Sequence, residues 1–261
     1  MYDFHSDSDR YFQMQKINCN EYVIPFIEET YTLKPHARIL EIGCGSGGVL
    51  AAFLERGYPG AGVDIEPNSV AVARKKLADY IQSGQAVIVL KDIYQIDPET
   101  ELNGKFDLII LKDVIEHIPH QERLMEKMKD LLHPGGAIYF GFPPWQMPFG
   151  GHQQICQSKI LSHLPYFHLL PVPVYKAVLE AFKEHPEGLI DIKKTGISIE
   201  RFEKIAKKAG YQIVDKAYYF INPIYKYKFN MKVRKQSKII GSIPYLRDFL
   251  TTGVFYLIQT N

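Results

Sequence analysis

The stretch Glu41-Ile42-Gly43-Cys44-Gly45-Ser46-Gly47-Gly48 decides the fold. Before it, residues 37–42 (ARILEI) form a continuous apolar run of the kind that makes a strand buried on both faces. After it, a helix is expected to run to Arg56-Gly57. Glycines between a strand and a helix let the chain turn sharply and approach a ligand closely, with the helix N-terminus nearby. Gly43, Gly45 and Gly48 satisfy a G-x-G-x-x-G spacing, a weak signal when it stands alone. Asp64, at the end of the next apolar run 60–65 (GAGVDI), stands where a carboxylate takes ribose hydroxyls.

Outward from this loop, short apolar runs alternate with helical periodicity. AVIVL (86–90), FDLIIL (106–111) and AIYFGF (137–142) read as further buried strands. Pro67 suits a first helical position, and Val70, Ala73, Leu77 and Ile81 follow on one face before Gly84. A helix over 121–132 carries Leu124, Met128 and Leu131 and is stopped by His133-Pro134-Gly135-Gly136. Such strands, separated by helices, predict a parallel sheet covered on both faces. Ser198 caps a helix bearing Phe202, Ile205 and Ala209 that stops at Gly210. The β-rich runs 211–220 and 254–259 are expected to pair antiparallel at the end of the sheet. Residues 1–31 read as a helical segment broken near Pro25.

Two segments break the alternation. Residues 143–195 hold seven of the sixteen prolines with interleaved aromatics, which predicts an inserted lid or substrate region with little regular structure. A basic insert, 222–250, separates the last two strands. Within it, 226–247 carries Lys226, Lys228, Lys232, Arg234, Lys235, Lys238 and Arg247 with no acid, against a whole-chain net charge of +2. A solvated face is the plain reading; attraction to an anionic substrate or membrane surface is the functional one. Nucleic acid is disfavoured, because a local patch is not a domain-wide basic footprint.

With 261 residues, 46% hydrophobic and 23% charged, the chain is expected to be a single globular domain over 1–261. Cys19, Cys44 and Cys156 are too few and too scattered for a disulfide framework or a zinc site, which points to a reducing compartment. The polar start MYDFHSDSDR is unlike a secretory signal, and no apolar run approaches a membrane span. The expected location is cytoplasmic.

Glu41 discriminates between two nucleotide-type ligands. A carboxylate two residues before the first glycine would repel a pyrophosphate but favour the sulfonium and ammonium of S-adenosylmethionine. In EIGCGSG (41–47), VDIEP (63–67), KDI (91–93), FDLIILKDVIEHI (106–118) and LLHPGGAIYF (131–140), the chain resembles the class I S-adenosylmethionine-dependent methyltransferases. The resemblance implies an α/β, Rossmann-like, seven-stranded sheet of order 3-2-1-4-5-7-6 with strand 7 antiparallel and helices on both faces. It also implies that Gly43, Gly45 and Gly47 line the methionine moiety of S-adenosyl-L-methionine. Asp64 would take the ribose hydroxyls, and Asp92 with Ile93 would meet the adenine. Glu41, Cys44, Ile65, Lys112 and Asp113 complete the expected cofactor-binding set. The alternatives are an NAD-type Rossmann oxidoreductase, which Glu41 disfavours, and an S-adenosylmethionine-binding protein without catalysis.

The acceptor is expected to be a small or lipid-like molecule methylated at oxygen. Phe142-Pro143-Pro144-Trp145 lacks the amide or acid of amino-methylating loops and follows strand 5 rather than strand 4. Asp113-Val-Ile-Glu116-His117 is similar to the acid-x-x-Glu-His segment of the ubiquinone-pathway O-methyltransferases, where such residues can hold a divalent ion. Packing and hydrogen bonding at the cofactor edge are the preferred roles here, and no metal is expected. In Gly150-Gly151-His152-Gln153-Gln154, two glycines let the chain place His152 over the pocket. The ordinary pKa of histidine suits a general base. His152 and His117 are the candidate catalytic residues; His163 and His168 are assigned to packing in the lid.

Overall fold

A computed structural model describes residues 8–260. The described residues start with α1 (Ser8–Asn18), a π-helical turn over Cys19–Val23 and α2 (Ile24–Glu28), so the break near Pro25 is a widened turn just before it, and residues 1–7 of the expected helical segment lie outside the described residues. There follow β1 (Ile39–Ile42), α3 (Gly48–Leu54), β2 (Gly60–Asp64), α4 (Pro67–Lys76), α5 (Ala78–Gln82), β3 (Ala86–Leu90), α6 (Pro98–Glu101), β4 (Phe106–Lys112), α7 (Gln121–Leu131) and β5 (Leu132–Phe142). The insert holds α8 (Lys159–His163), α9 (Val172–Ala181) and α10 (Pro186–Thr195). The chain closes with α11 (Ile199–Lys208), β6 (Tyr211–Ile221), α12 (Tyr225–Phe229), β7 (Arg234–Lys235), α13 (Lys238–Gly241), α14 (Leu246–Phe249) and β8 (Gly253–Thr260).

The sheet runs β3-β2-β1-β4-β5-β8-β6-β7. β3, β2, β1, β4 and β5 are parallel, whereas β8 lies antiparallel between β5 and β6. This is the expected order with one strand added. The eighth strand, β7, is two residues of the basic insert paired antiparallel to the far edge of β6. β5 also begins earlier than expected. His133-Pro134-Gly135-Gly136 does not precede the strand but bulges within it, because Leu132 already pairs with Phe106 before the regular register resumes at Ala137.

Alternation along the strands divides the core. Leu40, Ile109, Leu111, Ile138, Phe140 and Tyr256 face one layer with Leu124, Met128 and Phe202 from α7 and α11. Ile39, Leu108, Ile110, Tyr139, Phe255 and Leu257 face the other with Ile24, Ile27 and Phe53. Each such side chain, fully buried, contributes about 1.5–3 kcal/mol. α11 shows how local signals and packing agree: Ser198 Oγ accepts from Arg201 N, Phe202 and Ile205 are buried, and Gly210 turns away at φ +80.

The insert is more regular than its prolines suggested. Pro173 and Pro186 occupy the first turns of α9 and α10, where a missing N–H costs nothing, so they start helices instead of breaking them. Cys156, Leu161, Phe167, Tyr175, Leu179 and Leu189 form a small apolar core of their own.

Candidate functional site

The chain order reverses across the sheet between β1 and β4, and ligands of open α/β sheets lie outside the carboxyl ends of the strands at such a point. Here those ends deliver Glu41 to Gly43, Asp64, and Lys112 with Asp113. Gly43 and Cys44 donate N–H to Val63 O, which clamps the loop over β2. Gly43 sits at φ +70, and a Cβ there would lie 2.4 Å from Val114 Cγ2, so no side chain fits. Gly45 N donates to Asp64 Oδ2 at 2.7 Å and Glu66 N to Oδ1 at 2.9 Å. These bonds fix the Asp64 carboxylate while each oxygen keeps a further lone pair for a hydroxyl.

A cavity of about 100 Å³ lies under this loop, lined by Tyr11, Gln15, Glu41, residues 43–46, Lys112 and Asp113, among others. Gly47 is not among its walls; its hydrogen-only side faces Leu77. Ile65 stands 73% exposed just beyond Asp64. Asp92 accepts from Tyr94 N at 3.0 Å, and Ile93 is buried below it.

The chemistry of this cavity calls for a cation. Glu41 is buried, its Oε2 accepts from Leu50 N at 2.8 Å, and burial pushes its pKa up to about 8. Gln15 Oε1 is buried with no hydrogen-bond partner. Two buried acceptors with no positive partner of their own suit an ammonium group. Lys112, although buried, is already taken: its Nζ lies 2.6 Å from Asp113 Oδ2. Burial works against both charges, but their mutual attraction outweighs it, raising the lysine and lowering the aspartate pKa. Asp113 itself leaves β4 at φ +57, an uncommon conformation for a non-glycine residue.

Tyr11 and Asp113 also line a second cavity of about 450 Å³ and so form the boundary between the two. Its apolar walls include Pro143, Met147, Phe149 and Ile155 from the insert and Phe229 from α12. Among the aromatics interleaved with the prolines of the insert, Phe149 lines this wall. Phe167 and Tyr175 fill the core of the insert, Trp145 packs on His168, and Tyr166 packs on Phe249.

His152 projects into the larger cavity from φ +54. The preceding turn is tight: a Cβ on Gly151 would come within 2.3 Å of His168 Cβ. The His152 and His117 rings lie 4.9 Å apart, tilted by 32°. Burial, reinforced by His117, depresses the His152 pKa to about 4, and burial lowers that of His117 as well. His152 Nδ1 has no hydrogen-bond partner. Glu116 is buried with both carboxyl oxygens unpartnered, and burial, then Asp113, raises its pKa well above the usual range.

The trio considered from sequence as metal ligands does not assemble as written. Asp113 turns to Lys112, while donor atoms of Glu116, His117 and His152 lie within 4.8 Å of one another. Burial disfavours the charged form of Glu116 that a divalent ion would bind. The other histidines are elsewhere: His168 is buried, with Nε2 2.8 Å from Trp145 O, whereas His163 is exposed beside Lys159 O instead of packed.

Sequence reasoning missed Tyr11, Glu116 as an unpartnered acid, and Lys228, which lines the larger cavity although it belongs to the basic run. Burial lowers the Lys228 pKa, opposed by Asp113. Only the alternation of α1 could have exposed Tyr11; nothing local marks Lys228.

Residues 14–170 match the family described as Methyltransferase domain. A Pseudomonas aeruginosa ubiquinone biosynthesis O-methyltransferase is 32% identical over 105 residues, 39% of this chain and 42% of that protein. The chain thus spans less than half the length of the curated relatives it matches. Among solved structures, an S-adenosylmethionine-dependent methyltransferase from Clostridium acetobutylicum is similar at TM-score 0.56 and 13% identity, covering 94% of this chain and 92% of that one. Magnesium protoporphyrin IX methyltransferase from Synechocystis PCC 6803 is similar at TM-score 0.55 and 14% identity, covering 95% and 84%. These structural likenesses show the fold.

Proposed function

The chain belongs to the methyltransferase-domain family, and from that premise we propose that it is an S-adenosylmethionine-dependent enzyme methylating a hydroxyl oxygen of a small or lipid-like acceptor. The dinucleotide-oxidoreductase reading gains nothing from the comparisons. In the smaller cavity Glu41 and Gln15 would take the ammonium of the cofactor, with Gly43, Cys44, Gly45, Lys112 and Asp113 around its methionine end. Asp64 and Ile65 would meet the ribose, and Asp92 and Ile93 the adenine. When bound, the cofactor supplies an electrophilic methyl group on a sulfonium.

The observation that carries the oxygen target is His152: a neutral imidazole whose Nδ1 is unpartnered, in a cavity of mixed polar and apolar walls that adjoins the cofactor cavity. His152 would take the hydroxyl proton of the acceptor as its oxygen accepts that methyl group. His117, its ring centroid 4.9 Å from that of His152, positions that ring. Pro143, Met147 and Phe149 exclude water and align the acceptor, which supplies much of the rate in a displacement of this kind. The test is transfer of isotopically labelled methyl from S-adenosylmethionine into phenolic and lipid fractions. A labelled ether or ester product is expected, formed equally well with EDTA present. Label in amines alone, or reversible loss of activity with EDTA, would overturn the oxygen target or the metal-free site respectively.

A further inference from the structure

The basic insert divides once its charges are followed to their partners. Lys226 pairs with Glu21 at 2.5 Å, Lys228 lines the acceptor cavity, and Arg247 is buried against Glu200 and Glu203. Lys232, Arg234, Lys235 and Lys238 remain: exposed, and without an ion-pair partner among the described residues. No acid occurs between residues 222 and 247. The same short segment is also apolar. Of seventeen large hydrophobic residues exposed in the described chain, Phe229, Met231, Ile239, Ile243, Tyr245, Leu246 and Phe249 are seven, so exposed apolar area is concentrated here. Ile239 and Tyr245 are the extreme cases, 73% and 71% exposed.

This is not a loose loop. β7 pairs with the edge of β6, Gln236 N donates to Tyr218 O and its Nε2 to Leu250 O, and Asp248 accepts from Ile199 N at 2.8 Å. A fixed scaffold therefore holds cations and apolar side chains out together. It also adjoins the acceptor cavity: Phe229 lines the cavity, and Phe249 packs on Tyr166 of the insert, whose hydroxyl donates to Phe249 O.

We propose that residues 229–249 dock the protein on an anionic phospholipid surface, with Lys232, Arg234, Lys235 and Lys238 among the headgroups and Ile239 and Tyr245 inserted at the acyl boundary. Interfacial binding needs this combination of cationic attraction with apolar burial. A nucleic acid would use the cations but would leave Ile239 wet. The cavity would then open beside the bilayer, where a lipid-like acceptor resides. That last consequence rests on the methyl-transfer reading; the docking itself does not.

The test is co-sedimentation of the full chain with phosphatidylcholine vesicles, with and without phosphatidylglycerol. Binding is expected only to the mixed vesicles and should fall as salt rises. Replacing Lys232, Arg234, Lys235 and Lys238 by Gln should weaken it by roughly fivefold per charge, the scale for cations near an anionic leaflet. Ile239→Ser with Tyr245→Ser should also abolish sedimentation although every charge remains. S-adenosylhomocysteine affinity, read on the same variants, should be unchanged because these residues lie outside the cofactor cavity, which establishes that they fold. Equal binding to neutral vesicles, no binding to either, or retention of full vesicle binding by the Ile239/Tyr245 variant would overturn the proposal. So would capture of single-stranded RNA in preference to anionic vesicles.

Discussion

The cofactor edge and the acceptor cavity meet at Tyr11 and Asp113, yet they are built by different means. The cofactor edge takes its frame from the backbone of residues 41–93, to which Gln15, Lys112 and Asp113 add side chains: a loop clamped to Val63 O, an Asp64 carboxylate held by the N–H groups of Gly45 and Glu66, and strand ends in parallel register. The acceptor cavity is made of side chains from α1, the β4 exit, the insert and α12, separated by more than two hundred residues along the chain. Backbone-built sites are written in contiguous sequence; side-chain-built sites are written in the tertiary fold. The comparison predicts that damage on one side should leave the other working.

The largest expected effect is on the acceptor side. His152→Ala should lower turnover by about 10²–10⁴-fold, the usual contribution of a general base. Its affinity for S-adenosylhomocysteine should be unchanged, because that ligand's contacts lie in the other region. Burial holds the His152 pKa at about 4, so the wild-type rate should show no inflection near 6.5, where an ordinary histidine titrates. Full turnover in the variant would remove His152 from the mechanism. Loss of turnover together with ligand affinity would erase the separation between the two regions.

On the cofactor side, Asp64→Ala should weaken S-adenosylhomocysteine binding by roughly 1.5–3 kcal/mol, the scale of hydrogen bonds to a charged group. Undiminished affinity in a folded variant would detach Asp64 from the ribose. A smaller and more particular effect belongs to Glu41. Its pKa is raised from 4.5 to about 8, so the ligand-free protein holds a proton there at pH 7. The stability this group contributes is therefore fully present below pH 4.5 and is lost as pH rises through about 8. An ammonium entering beside Glu41 should expel that proton. Calorimetry at pH 7 in buffers of different ionisation enthalpy should register proton release on binding, and Glu41→Gln should abolish it. Proton uptake, or release unaffected by the substitution, would contradict the placement.

The same contrast explains what the sequence could disclose. β3 is read at its true limits, 86–90, because a pure apolar run needs no context. The Gly43 turn and Asp64 follow from spacing, since the contacts that fix them are local or between adjacent strands. β7 had no signature: two cationic residues carry no β pattern, and only the free edge of β6 makes them a strand. The helices of the insert were hidden because proline is read as a breaker until its place in the first turn is known. The pairing of His117 with His152, thirty-five residues apart, and the burial of Lys228 within a basic run depend on the packing of the insert and α12 against the β4 exit. No local pattern encodes either.

The central claim is that the cavity under residues 43–46 takes a cationic, phosphate-free nucleoside ligand. Calorimetric titration of the full chain with S-adenosylhomocysteine and, separately, with NAD tests it most directly. Saturable binding of S-adenosylhomocysteine with no binding of NAD is the predicted result; saturable binding of NAD with none of S-adenosylhomocysteine would contradict it.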